Sequence, residues 1–243
     1  MEVFFHVYFK PPRIQGILAQ MFQYMVSSGL AKASDQIHIG LIGPNAKCMG
    51  QLPLAFRKKT SIHYWGPESR LFEFPTLGLL WDRSKQAAPQ PFLYLHTKGV
   101  SHTNPKAIQD TDVWRKSLCE AALTRYRECL EGLKKNDVFG MECHWDHFSG
   151  NFWWARSQYL SKLRDPRDFL PKNTRLWGNR DFNNRYMAEF WVAQSSVTRR
   201  YNSQEGRPYT KGLPSGTIPR SLRLGAFRMP SCPCRYDPEP VKP

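Results

Sequence analysis

Phe92-Leu93-Tyr94-Leu95-His96-Thr97-Lys98-Gly99 is the stretch on which the fold turns. Four apolar or aromatic residues, apt for a buried strand, run straight into a polar string. A buried strand has no room for a histidine and a lysine side by side, so the polar string marks its exit. Open α/β sheets bind ligands at such carboxyl edges. Thr97 offers a hydroxyl, Lys98 a positive charge, and Gly99 lets a backbone approach a ligand closely. Together they suit a phosphate or pyrophosphate. The plainer alternative is a histidine bonded within the sheet edge and a solvated lysine.

Working outward, Val3-Phe4-Phe5-His6-Val7-Tyr8-Phe9 is rich in β-branched and aromatic types and predicts a first strand. Ile14, Ile17, Leu18, Met21, Phe22, Met25 and Val26 then recur at helical spacing. Ile37 to Gly43 is a second strand and Ser61 to Trp65 a short third one. Gly66-Pro67-Glu68-Ser69 is a turn. A helix over about 70–86 leads to the strand at 92–97. The first hundred residues therefore predict β-α-β-β-α-β, an α/β nucleotide-binding pattern without a glycine-rich phosphate loop.

Residues 101–109 look like a loop. Thr111 or Asp112 is placed to cap a long helix through Leu133, with Trp114 and Arg115 in its first turns. Asp137 to Met141 predicts a strand, Phe152 to Ala155 another strand or a strand-to-helix junction, 157–163 a short helix, and Arg180 to Val192 a last helix. From 202 to 243 glycine, proline, serine and arginine dominate, which predicts a basic extended or disordered tail behind a single domain over 1–201.

Composition narrows the function classes. The chain has 243 residues, 41% of them hydrophobic, and a formal net charge of +15. Such a field attracts anions: nucleic acid, anionic lipid or phosphorylated small molecules. The charge is dispersed, Arg57-Lys58-Lys59 being its longest run, so nucleic acid is the less favoured partner. The six cysteines, Cys48, Cys119, Cys129, Cys143, Cys232 and Cys234, form no CxxC pair and read as reduced thiols. No apolar run approaches the ~18 residues of a membrane span. With no signal peptide at the start, the expectation is a soluble, cytoplasmic protein.

A second unusual string is His147-Phe148-Ser149-Gly150-Asn151-Phe152-Trp153-Trp154-Ala155. Asn151 can hydrogen-bond sugar hydroxyls in either sense, and a tryptophan face can stack on a sugar ring. The alternative is a well-packed turn with both indoles in the core. Alternation along a strand suggests one ring in the core and the other near a ligand.

In combination, Tyr94-Leu95-His96-Thr97-Lys98-Gly99, Trp114-Arg115 and the string from His147 to Ala155 resemble a group of small GT-A-fold nucleotide-sugar glycosyltransferases of bacteria and large DNA viruses. The likeness covers roughly residues 3–195, and Glu73-Phe74-Pro75-Thr76-Leu77 also fits it. It implies a single GT-A-like (Rossmann-like) domain that moves a sugar from a UDP- or GDP-sugar to an acceptor hydroxyl, on a glycan or similar molecule. Most such enzymes hold Mn²⁺ or Mg²⁺ with an Asp-x-Asp after the central strand. Here His96-Thr97-Lys98 stands in that place, so lysine charge is expected to replace the metal. The literal Asp110-Thr111-Asp112 falls too late and reads as part of a helix cap. His144, Asp146 and His147 lack a fourth ligand at metal-binding spacing, and His147 fits the acceptor side.

The resemblance also assigns roles. Glu189, in Tyr186-Met187-Ala188-Glu189-Phe190-Trp191, is the first candidate for general base and Asp181 the second. Tyr8, His96, Thr97, Lys98, Gly99 and Arg115 fall on the donor side. Arg115 pairs either with Glu73 or with the donor phosphates. His147, Ser149, Gly150, Asn151, Trp153 and Trp154 fall on the substrate side. The rival from another class is a noncatalytic glycan- or nucleic-acid-binding protein that keeps the fold.

Overall fold

The computed structural model describes residues 1–43, 56, 58–67, 71–141, 147–169, 185–193, 200–202 and 207–209. Asp181, His144, Asp146, the turn residues Glu68 and Ser69, four of the cysteines (Cys48, Cys143, Cys232, Cys234) and the stretch from 210 to 243 lie outside these residues.

The architecture is α/β, as the sequence pattern predicts, and is built on one mixed sheet. Its strands are β1 (Glu2–Tyr8), β2 (Gln36–Ile42), β3 (Thr60–Tyr64), β4 (Pro91–His96), β5 (Val138–Gly140), β6 (Trp153–Arg156), β7 (Arg200–Asn202) and β8 (Arg207–Tyr209). They lie in the order β3-β2-β1-β4-β6-β5-β7-β8. Six of the eight run one way; β6 opposes both β4 and β5, and β8 opposes β7. β7 and β8 lie around and beyond residue 201, where the sequence reading ends the folded domain.

Helices cover both faces. They are α1 (Ile14–Ser27), α2 (Leu30–Ala33), α3 (Phe74–Gln86), α4 (Pro105–Cys119), α5 (Tyr126–Leu133), α6 (Ser157–Leu160) and α7 (Arg185–Phe190). A π turn, Glu120–Thr124, follows α4, and a 3₁₀ turn, Trp191–Ala193, follows α7. Central strands covered on both sides read as near-continuous apolar runs. β1 is such a run, paired in parallel with β2 on one side and β4 on the other.

Alternation along the strands sorts the core. Phe4 and His6 of β1, with Phe92 and Tyr94 of β4, face α3. There His6 Nδ1 meets Thr76 Oγ1 at 2.9 Å, and Phe4 and Phe92 pack with ring centroids 5.0 Å apart. The same face carries Trp153 and receives Met187, Ala188, Trp191 and Val192 from α7 and its 3₁₀ extension. On the opposite face Phe5 meets Phe22 of α1 at 5.9 Å.

Two sequence expectations change. α4 begins at Pro105, inside the stretch read as a loop. Asn104 is its cap: the side-chain carbonyl accepts from Lys106 N at 2.9 Å and Ala107 N at 3.2 Å, with proline at the first helical position. Thr111 and Asp112 are therefore interior to α4. α3 begins at Phe74 rather than at residue 70, with Pro75 in its first turn, where a missing N–H costs nothing.

Glycine is required at one point of this packing. A Cβ on Gly40 would overlap Thr76 Oγ1 and stand 2.9 Å from Trp65 Nε1. Thr76 is held by His6 and fully buried, so it has nowhere to go. Gly40→Ala is expected to destabilise the protein by about 1–3 kcal/mol, the usual cost of overpacking, read as a lower urea midpoint at unchanged slope.

Candidate functional site

The strand order sets the place of the site. β1, β2 and β3 step outward in one direction, and the chain then returns past β1 to lay down β4 on its other side. The order reverses between β1 and β4, and open α/β sheets take their ligands at the carboxyl ends flanking such a switch. Tyr8 ends β1 and His96 ends β4. Tyr8 N donates to Thr97 Oγ1 at 3.0 Å, so the two strand ends are tied across the switch point. Tyr8 is half-buried there.

Beyond Thr97 the backbone is braced by two arginines. Arg115 Nη1 donates to Lys98 O at 3.0 Å, and Arg13 Nη1 donates to Gly99 O at 2.6 Å. Both guanidinium groups also meet Asp112 Oδ1 at 2.8 Å, and Arg115 Nε donates to Gln20. Gly99 has φ of +85°, and a Cβ there would stand 2.5 Å from Thr111 Cγ2, so the turn needs glycine. Arg115 is only 3% exposed. It does not pair with Glu73 and has no face turned outward; it serves the site by holding the Lys98 carbonyl.

Lys98 is buried, with Nζ 4.1 Å from the centroid of the Trp114 ring. A cation over an indole in a partly desolvated place is held by about 1–2 kcal/mol. The Trp114 ring also touches the turn at Gly150: a Cβ on Gly150 would lie 3.2 Å from it and 2.6 Å from Leu118 Cδ1. The two motifs read from the sequence therefore meet in space. His96 Nε2 closes the join, 2.9 Å from Gly150 O. Because a carbonyl only accepts, Nε2 carries a proton.

Beneath this join lies a residue the sequence reading mentions without a site role, Glu73. Its carboxylate is buried, with Oε2 accepting from Tyr94 OH at 2.7 Å and from Asn151 Nδ2 at 2.6 Å. Oε1 lies 3.4 Å from His96 Nδ1. Asn151 Oδ1 in turn accepts from Trp153 Nε1 at 2.7 Å. The turn itself is closed by Asn151 N donating to Phe148 O at 3.0 Å, with φ of +80° at Gly150 and +55° at Asn151. Glycine and asparagine are the residues that tolerate this left-handed region. The signal for Glu73 was an acid set between Phe72 and Phe74 just ahead of a helix.

The substrate-side expectations are largely corrected by burial. Asn151 is fully buried and both ends of its amide are bonded within the protein, so it does not meet a sugar hydroxyl. Trp153 and Trp154 are both fully buried; neither presents a face to a ligand. Alternation does turn them to opposite sides, but each side is core: Trp153 stacks on Tyr94 at 5.1 Å, and Trp154 Nε1 donates to Ala122 O in the π turn. Ser149 and Gly150 are buried too. Of that string His147 remains half-buried, its ring edge-on to Phe190 of α7 at 5.3 Å. Glu189, also on α7, is half-buried. Its charge is felt at Tyr94, whose hydroxyl is pushed well above its usual range by burial first, then by Glu73, with Glu189 adding to it.

A divalent Mn²⁺ or Mg²⁺ takes oxygen ligands, chiefly carboxylates and water. The end of β4 presents one hydroxyl, already accepting from Tyr8 N, beside an ammonium group. These donors do not fit such an ion. Asp110 and Asp112 point to cations instead: Asp110 to Lys106 at 3.2 Å, Asp112 to Arg13 and Arg115. No group of three or more metal-binding side chains occurs among the described residues.

The chain belongs to the family described as a domain of unknown function (DUF8361), whose profile matches residues 4–209. No curated protein matches the chain. No helix among the described residues is long and apolar enough to cross a membrane.

His6 gives the site a pH signature. It is fully enclosed, and burial drives its pKa from 6.5 down to about 4; Glu73 pulls it upward and His96 pushes it further down. The native state therefore holds the neutral ring, while the unfolded chain takes up a proton near 6.5. This stability is complete above that pH and is lost as pH falls to about 4, a loss of about 3 kcal/mol. Glu2, whose pKa is lowered to about 2 by His38 and Arg83 against its burial, loses its share only at lower pH. His6→Asn, which keeps a polar atom near Thr76, should flatten the stability curve between pH 6.5 and 4 in urea titrations.

Proposed function

We propose that this chain is a nucleotide-sugar-dependent glycosyltransferase with a GT-A-like domain. The observation that carries the reading is the braced turn at Thr97-Lys98-Gly99, set at the switch point of a sheet whose strands β3-β2-β1-β4 run parallel in nucleotide-binding order. A diphosphate is the ligand chemistry that suits a lysine held at such an edge.

In this reading a UDP- or GDP-sugar lies along the carboxyl ends of β1 and β4. Tyr8 and Gly99 border it, and Lys98 meets the pyrophosphate. Lys98 supplies the positive charge that a divalent cation supplies in related folds, and stabilises the charge that develops on the leaving diphosphate. The acceptor hydroxyl approaches from the side of His147 and Glu189. Glu189 takes its proton as the new bond to the anomeric carbon forms and the bond to the phosphate oxygen breaks. Transfer with retention would instead give Glu189 the task of stabilising an oxocarbenium-like centre.

Calorimetric titration with UDP, GDP and their sugars tests the reading. One nucleotide is expected to bind, and Lys98→Ala to weaken it by about tenfold or more, the equivalent of one charge-assisted contact. Transfer is expected to persist in EDTA. Absence of binding to every nucleotide removes the enzyme reading, and a steeply salt-dependent shift of labelled RNA or DNA then supports the noncatalytic binder. Activity abolished by EDTA and restored by Mn²⁺ removes the role given to Lys98.

A further inference from the structure

We propose that Glu73 is a positioning residue for the transfer, fixing the acceptor side of the site against the end of β4. The inference rests on the glycosyltransfer reading for the identity of the reaction. Its geometry comes from contacts that do not depend on that reading.

Two separate pieces of the chain, β4 and the Phe148–Asn151 turn, meet this one carboxylate, and β1 and α7 stand one contact further out. It stands at the entry to α3, beside Thr76, which holds His6 of β1. It takes the hydroxyl of Tyr94 and faces the ring of His96, both on β4. It takes the amide of Asn151 in the Phe148–Asn151 turn. Asn151 Nδ2 also lies 3.5 Å from Ala188 O, the outer limit of a hydrogen bond, and Ala188 precedes Glu189 on α7. The chain from Glu73 through Asn151 thus leads to the backbone that presents the proposed base.

A carboxylate in a core is expensive to desolvate, and stability alone is as well served when such an acid and all its buried partners are replaced together by well-packed apolar side chains. What an apolar residue cannot do is hold Tyr94, His96 and Asn151 at fixed directions from one point. The donor-side turn has its own supports: Arg13 on Gly99 O, Arg115 on Lys98 O, and Thr97 Oγ1 on Tyr8 N. None of these passes through Glu73, whose one contact on the donor side is the His96 ring. Loss of the carboxylate should therefore disturb the acceptor side and leave donor binding in place.

In Glu73→Gln the NH₂ group either replaces the oxygen shared by Tyr94 and Asn151, setting it against the Asn151 NH₂, or takes the place of Oε1 facing His96. Asn151→Asp sets two carboxylates against each other. Combining Glu73→Gln with Asn151→Asp restores the bond between positions 73 and 151 with its polarity reversed, the Tyr94 hydroxyl turning to accept from the new amide. The new side-chain amide at position 73 donates to the new carboxylate at position 151. That carboxylate still accepts from Trp153 Nε1, and one negative charge remains in the cluster.

The experiment compares wild type, Glu73→Gln, Asn151→Asp and the double exchange in full-length protein. Its readouts are turnover, donor dissociation constant and the ¹⁵N–¹H resonance of the Trp153 indole. Each single change is expected to lower kcat by about tenfold to a hundredfold, as small misplacements of reacting groups do, with donor affinity within about twofold of wild type. The double exchange is expected to recover most of kcat and to return the indole resonance towards its original position. A Glu73→Gln protein with wild-type kcat overturns the inference. So does parallel loss of kcat and donor affinity, or a double exchange no better than the singles. A wild type that neither binds a nucleotide nor transfers a sugar removes the glycosyltransfer reading and the catalytic part of this inference with it. An indole resonance unmoved by Glu73→Gln removes the structural part on its own.

Discussion

A carboxylate enclosed in a protein interior must be met on every side, and the upper half of this fold is arranged around meeting Glu73. Hydrogen bonds to a charged acceptor contribute about 1.5–3 kcal/mol each, more than neutral ones, and leaving such a group unpaired costs more still. Tyr94, Asn151 and His96 supply the partners, and each is itself fixed by something else. Asn151 is fixed by Trp153 Nε1 and by a left-handed backbone, His96 by the Gly150 carbonyl, and Tyr94 by its stack on Trp153. The consequence is geometric: the end of β4 and the turn after Phe148 cannot shift independently.

A second centre, made of opposite materials, stands on the other side of the β4 exit. There one half-buried acid, Asp112, is shared by two arginines that also hold the carbonyls of Lys98 and Gly99. Guanidinium forks suit this work because their donors are fixed in a plane and can serve a carboxylate and a carbonyl at once. Lys98 thus has its backbone held by arginine and its ammonium held over Trp114. The turn is held by Arg13, just ahead of α1, and by Arg115 and Asp112 of α4, whereas the Phe148–Asn151 turn is held by Glu73 at the start of α3. The two sides of this sheet edge are thus braced by separate means.

The alternating pattern of the first hundred residues was legible because it is local: period, turn residues and strand composition place β1 to β4 and the helices between them. The start of α4 was legible too and was misread, since Asn104-Pro105 is itself a cap-and-first-turn signal that outranks Thr111 and Asp112. The tandem Trp153-Trp154 shows a different limit. Alternation rightly sends the rings to opposite faces of β6, but only the tertiary structure tells that both faces are covered. Glu73 carried a local signal, an acid between two phenylalanines ahead of a helix, but its partners were beyond local reading. Its partners lie 21 and 78 positions away in the chain, and no spacing rule connects an acid before a helix to an amide in a distant turn.

The tryptophans separate packing from function by the fate of their N–H groups. A buried indole ordinarily finds an acceptor. Among the described residues Trp81, Trp153, Trp154 and Trp191 do so, on Leu163 O, Asn151 Oδ1, Ala122 O and Arg164 O. Trp65 and Trp114 are the two whose buried Nε1 has no acceptor. Trp65 immediately follows β3, and Trp114 lies under Lys98, so both stand at the carboxyl edge of the sheet rather than in the layers below it. The tryptophans therefore divide in two. The rings that drew notice in the sequence build the wall, and the indoles with hydrogen-bonding capacity to spare border the edge where a ligand of this fold belongs.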